Sequence, residues 1–440
     1  ASRYFEKRKP VRSALLVSES AAPSSGKILA LIPESKGDSP TDRAITKARL
    51  LASHKPQNAS SWIHLADAVM QKARDTADES LYDPAEMAYT RANLLDPRRV
   101  DALAGLAWVN GDRHLFEDSI VWANKALAID PNNAASYGIR GDAELELDDY
   151  DGAFRDYQKM ADLRPDLSSY SRGAHLLWMT GNRPKALALM EKALRAGSPF
   201  AENTAWCRAQ LALMLFQDGA YLPADQTIAP ALASAPRNMR VLLVAGRIKT
   251  ALRDYSAAQA LYRRVLEVAP NIEADAALGD LAAAAGQHAE AEKYYRQAEE
   301  LHAVHVARKG HDHMQMARFD ADHDRNLVDA LRMAEQRKLT KNVIEADTLA
   351  WVYFKNGDLE KAREAISRAL SHDTPDPEIL FHAGMIAAKL GDRVVASKYL
   401  DTAVNWCPRF NLHQAPIAFE TLRDLGGERS VATTNVPPEQ

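Results

Sequence analysis

Five of the thirteen histidines fall between His302 and His323, in the stretch LHAVHVARKGHDHMQMARFDADHDRN, together with Asp312, Asp320, Asp322 and Asp324. Imidazole and carboxylate side by side can hold zinc or a similar ion. His311, His313, Asp320 and His323 are therefore the candidate metal ligands. His311 and His313 stand two residues apart, which puts them on different sides of a helix, so they could act together only in the loop after Gly310. No His-x3-His or cysteine pair fixes a coordination geometry here. The competing reading makes the aspartates helix caps and the histidines solvated groups in a turn. On that balance the expectation is no bound metal and no cofactor.

Other chemistry finds little support. There is no glycine-rich phosphate loop and no Gly-x-Ser-x-Gly elbow, and Cys207 and Cys407 lie in no recognisable nucleophile context. A non-enzyme is expected. A formal charge of -4 on 440 residues leaves no broad basic field for phosphate backbones, so nucleic acid is not the expected ligand. No window approaches the run of eighteen apolar residues that a membrane span needs. The start at Ala1 suits a processed exported chain, and two cysteines suit either compartment. The expected location is periplasmic or secreted, with the cytoplasm as the alternative.

The elements that would position any site are set by a period. Pro97, Pro131 and Pro165 each close an apolar run and stand 34 residues apart. Alanine is abundant and strand-type alternation is hard to find, so the chain reads as all-α. Leu349, Ala350, Gly357, Ala362 and Ala369 match Ala383, Gly384, Gly391, Ala396 and Ala403 at a constant offset of 34. Small residues stand where two helix axes approach, larger ones fill the gaps, and proline stops the second helix so that each unit has one length.

These motifs resemble the tetratricopeptide repeat family, whose unit is a helix-turn-helix with a large residue, Leu-Gly or Leu-Ala, two spaced alanines and a closing proline. The resemblance is to a bacterial-type protein made of such repeats alone. It implies a right-handed superhelical solenoid of about ten units. Residues 1–40, rich in Pro, Ser and Gly after a basic start, read as an extended or disordered arm. Residues 41–57 read as a capping half repeat and 58–410 as the array, with an irregular connection near 302–325. Residues 411–440 read as a capping helix and a polar tail. The first full unit carries about seven extra residues between its helices.

The resemblance also implies a partner: a peptide or protein held on the concave inner face of the first helices. The residues that follow each tight pair, or stand one turn beyond, give the candidate groove: Trp108, Asp142, His175, Trp178, Phe216, Arg247, Phe319, Trp351 and Phe354. The aromatic members could equally be packing between repeats. The lysine and asparagine pattern by which the family clamps chaperone tails is missing, with Ile63, Asp67, Ala104 and Trp108 at those positions. The expected function is a scaffold that assists assembly of a multiprotein complex. A self-assembling structural protein is the alternative, as a homo-oligomer, and a metal-binding repeat protein using 302–324 is another.

Overall fold

The structure, a computed structural model, describes residues 24–32, 34, 37, 39–76, 78–197, 201–307 and 313–426. Twenty-three α-helices account for these residues, with no strand among them. Two helices come first, the short α1 (Ser25–Leu31) and α2 (Pro40–His54), then ten antiparallel pairs. The pairs begin with α3 (Ala59–Thr76) and α4 (Tyr82–Leu95), α5 (Val100–Asp112) and α6 (Phe116–Ile129), and α7 (Ala134–Glu146) and α8 (Tyr150–Leu163). Next are α9 (Leu167–Met179) with α10 (Arg183–Ala196), α11 (Ala201–Gln217) with α12 (Tyr221–Ser234), and α13 (Met239–Ala251) with α14 (Tyr255–Val268). The C-terminal pairs are α15 (Ile272–Ala284) and α16 (His288–Ala307), α17 (His313–Asp322) and α18 (Leu327–Ala334), α19 (Val343–Lys355) and α20 (Leu359–Ala369), and α21 (Pro377–Lys389) and α22 (Arg393–Trp406). A last helix, α23 (Gln414–Asp424), packs on α21 and α22.

The unit starts by the same local device several times over. Asn133, Asn238 and Asn271 each accept a hydrogen bond from the backbone N–H three residues on, at 2.9, 3.1 and 2.9 Å. Each such cap is worth about 1 kcal/mol. All three follow a helix-stopping proline by one or two residues, so stop and restart are written together.

Packing inside the unit follows the small residues. A side chain on Gly141 would sit 2.7 Å from the Tyr157 ring, and one on Gly246 would sit 2.5 Å from Tyr262. The tyrosine thus fills the space the glycine leaves. In three units the hydroxyl finds the residue after the small one of its own unit: Tyr157 donates to Asp142 at 2.8 Å, Tyr295 to Asp280 at 2.9 Å and Tyr89 to Asp67 at 2.6 Å, while Tyr262 pairs with Thr250 instead. The same bond recurs because the register recurs.

The arm read over 1–40 contains a helix. Ser24 caps α1, Ile28 and Ile32 are buried, and Arg49 donates to the Leu29 and Ile32 carbonyls. Proline and glycine around this segment mask a short apolar run long enough for two helical turns.

The units turn until the chain meets itself. Lys341 N donates to Asp148 Oδ2 at 2.9 Å and Val343 N to the Tyr150 hydroxyl at 3.2 Å. One unit further along, Thr374 donates to the Met179 carbonyl at 2.6 Å. Beyond it, Cys407 donates to the Phe216 carbonyl at 3.1 Å and Arg409 N to the Tyr221 hydroxyl at 2.8 Å. The partners are roughly 190 residues apart in each case. A seam therefore joins the connections before α19, α21 and α23 to the ends of α7, α9 and α11 and the turns after them. Gly181 and Gly219 line it with φ of 79° and 74°, and any side chain at Gly219 would strike the Trp406 carbonyl.

Candidate functional site on the inner face

The first helices of the pairs line two cavities. One, of about 570 Å³, lies against α5, α7, α9 and α11, and the other, of about 630 Å³, lies between α9 to α15 on one side and α17 to α21 with residues 409–412 on the other. His175 belongs to both walls. Burial, with Arg240 nearby, pushes the His175 imidazole down to about 4, so it stands neutral at pH 7.

Trp108 and Asp142 face the first cavity. Trp108 is half-buried and its indole N–H reaches Asp112. Asp142 accepts from Arg172 Nη2 at 2.7 Å as well as from Tyr157, so its charge is matched. Trp178, Phe216, Arg247 and Phe319 face the second cavity. Trp178 is 5% exposed and donates to Gln217 at 3.1 Å, while Phe216 and Phe319 are 4% exposed. Phe319 packs against Tyr295 and His323.

Trp351 and Phe354 lie elsewhere. Trp351, 4% exposed, stacks on Phe354 at 4.8 Å and on His382 at 4.2 Å, and Trp351 and Phe354 lie outside the walls of these two cavities. Trp351 thus sits in the core between the last two units, while Trp108 stands at an open surface.

Apart from Arg247 and His323, the residues that dominate the second cavity escaped the sequence reading. Arg318 on α17 binds Asp322 at 3.0 Å, Asp347 at 2.7 Å and Glu378 at 2.8 Å, and Arg247 reaches Glu378 at 3.3 Å. His382, fully buried, meets the other oxygen of Asp347 at 2.8 Å. Burial drives the Asp347 carboxyl up, but His382 and Arg318 outweigh it and hold the group below its ordinary value. Asp280 is likewise held well below the carboxylate range by His323 and His413, at 2.8 and 3.2 Å. Gln217 donates to Asp376 at 2.7 Å across the seam. Arg318, Asp347 and His382 come from neighbouring units, whereas Arg247 with Glu378 and Gln217 with Asp376 join residues 131 and 159 apart, which the 34-residue period does not pair.

The metal candidates are dispersed. His311 lies outside the described residues. His323 spends Nε2 on Asp280 and Nδ1 on the Phe319 carbonyl at 2.7 Å, and Asp320 is buried at the start of the turn, where Asn326 donates to it at 3.3 Å. His313 packs against the His302 ring at 5.5 Å. Among the described residues, no group of three or more His, Cys, Asp and Glu side chains is placed to hold a metal ion. No described helix is long and apolar enough to cross a membrane.

The tetratricopeptide repeat model matches residues 243–304 and 348–405. These two segments are thus matched as tetratricopeptide repeats, and the all-helical pairs on either side of them have the build of such a solenoid. Similar solved structures include yeast Tom70, at 15% identity over 92% of this chain and 96% of that one with a TM-score of 0.40. A tetratricopeptide repeat protein from Parabacteroides merdae is 16% identical over 53% of this chain and 92% of its own, with a TM-score of 0.39. Pseudomonas aeruginosa pilF is 20% identical over 50% and 96%, with a TM-score of 0.37. No curated protein matches the chain.

Proposed function

We propose that the chain holds a peptide or an extended segment of a partner protein on its inner face, and that it does so at α5, α7, α9 and α11 to help assemble a multiprotein complex. The observation that supports this is the contrast in cover along that face. From the C-terminal side of α9 onward the inner surface meets α21 and residues 409–412 of the same chain, while the wall of the cavity of about 570 Å³ is made by residues 74–206 and includes none of that cover. Trp108 and Trp206 stand half-buried there, as anchors for an incoming side chain do. A segment entering this space would bury apolar surface without displacing the protein's own chain.

A photo-crosslinking amino acid at Phe116, in the cavity wall, compared with one at Phe154, which is 54% exposed on the second helix α8, tests the reading. Partners captured from the native source are expected to crosslink at 116 and not at 154. Crosslinks confined to 154 would place the interaction on the outer face and remove the proposal.

A further inference from the structure

The N-terminal cavity has a charge pattern that the rest of the inner face lacks. Trp108 and Asp142 are equivalent positions one unit apart, and so are Asp112 and Glu146, each pair separated by 34 residues. The four side chains all face the same space. Asp142 is matched by Arg172, and Arg74, the other cation in the wall, is 3.2 Å from Glu202. Asp112 and Glu146 have no lysine, arginine or histidine within 4 Å among the described residues. The wall thus holds two carboxylates without a direct ion pair, Asp112 being eased only at longer range by Arg74 and Arg172.

The surroundings suit a cation with an apolar stem. Tyr82, Trp108, Phe116 and Trp206 share the cavity with the two acids. A lysine or arginine lays its methylenes along aromatic surface while its head meets carboxylate, and the aromatic faces add attraction for the charge. Burial pushes the Asp112 carboxyl up to about 6, with Asp142 adding to the rise and Arg74, the Trp108 indole and Arg172 offsetting only part of it. The second cavity also has more carboxylates than arginines, seven against four, but there Asp347, Glu378 and Asp280 are paired within the protein. An acidic segment would meet repulsion at the N-terminal cavity.

We propose that this cavity is a docking site for a basic segment of a partner, with a lysine or arginine head between Asp112 and Glu146 and its stem across Trp108 and Trp206. The inference rests on the groove reading above and names the chemistry of its occupant. Neighbouring solenoid units supply two acids at one repeat position, so basic side chains spaced along an extended strand could be read in turn.

Calorimetry on the full chain with defined peptides provides the test. The probes are a blocked octapeptide alternating Lys and Leu, and the same peptide with Gln in place of Lys. The expected result is saturable binding of the Lys peptide, at least ten-fold weaker binding of the Gln peptide, and weakening of the Lys peptide as salt is raised. An Asp112→Asn, Glu146→Gln variant with an unchanged or raised melting temperature should lose that preference. No saturable binding of the Lys peptide, equal affinity for both peptides, or an unaffected variant would overturn the inference. If both peptides bind equally and Trp108→Ala weakens both, the groove stands and only its basic specificity falls. If neither peptide binds and the captured partner crosslinks only at 154, groove and specificity fall together.

Discussion

The inner face around α5 to α9 and the inner face around α17 to α21 are built from the same 34-residue unit, yet they end in opposite electrostatic states. In the C-terminal stretch, Asp347 has Arg318 and His382, Glu378 has Arg318 and Arg247, and Asp280 has His323. In the N-terminal stretch, Asp112 and Glu146 face open space. The repeat register puts acids on the inner face in both places. In the C-terminal stretch the neighbouring units bring Arg318, His382 and His323, and the returning coil adds Arg247 beside Glu378. A side chain's position in the unit sets where it points, and its position in the coil sets what it meets.

The tryptophans give the sharpest way to break this comparison. Trp351→Ala should cost about 3 to 5 kcal/mol of stability, as for other buried tryptophans, read as a fall in melting temperature of the C-terminal units. Trp108→Ala should cost about 1 kcal/mol and weaken partner binding by about 2 kcal/mol, as an interface anchor does. Equal destabilisation by the two would erase the distinction between the stretches.

Asp347→Ala follows, because it strands Arg318 and His382 beside a missing charge. A loss of about 3 kcal/mol near neutral pH is expected from breaking a buried pair. The Asp347 carboxyl is held below its unfolded value of 3.8, so its contribution is full above that pH and is lost as pH falls through the folded value. Denaturant melts of wild type and variant should therefore converge in strong acid. A constant gap down to pH 2 would show that packing, not charge, made the difference.

The seam comes next. Gly219 has φ of 74° and no room for a side chain against the Trp406 carbonyl. Gly219→Ala should cost about 1 to 2 kcal/mol through strain and lengthen the molecule in small-angle scattering as the coil lifts from itself. Unchanged dimensions would mean that the contact tolerates a methyl group and does not hold the coil shut.

The smallest effect has the opposite sign. The Asp112 carboxyl titrates near about 6 in the folded chain against 3.8 in the unfolded one, so the native state loses stability as pH rises from about 4 to about 6. Asp112→Asn should remove that loss and stabilise the protein by about 1 kcal/mol at pH 7.5, with no gain below pH 4. Destabilisation at pH 7.5 would show that Asp112 already has a cation partner.

Much of this architecture was legible in the chain. The offset of 34 between small residues gave the helical pairs, and the extra seven residues of the first unit can be checked against the tyrosine bond. Asp142 to Tyr157 and Asp280 to Tyr295 are 15 residues apart, whereas Asp67 to Tyr89 is 22. The groove was less legible. Counting one residue past each tight pair arrives at Asp67, Asp142 and Asp280, whose carboxylates serve the unit's own tyrosine. The same counting reaches Trp351, which the stacking of two units buries. The seam was not legible at all, since contacts about 190 residues apart depend on the summed rotation of the units between them.

That summation gives the seam a property beyond its hydrogen bonds. Closing a flexible loop of such length would carry a large entropic cost, but the intervening chain is a stiff spring whose shape is already fixed by its own packing. The closure works like a gauge. A small change in the rotation of each unit is multiplied about six-fold by the time the coil returns, so Lys341 would miss Asp148 even if every unit remained folded. Substitutions at small residues far from the seam should thus register there first, as lost alignment and not as lost helix.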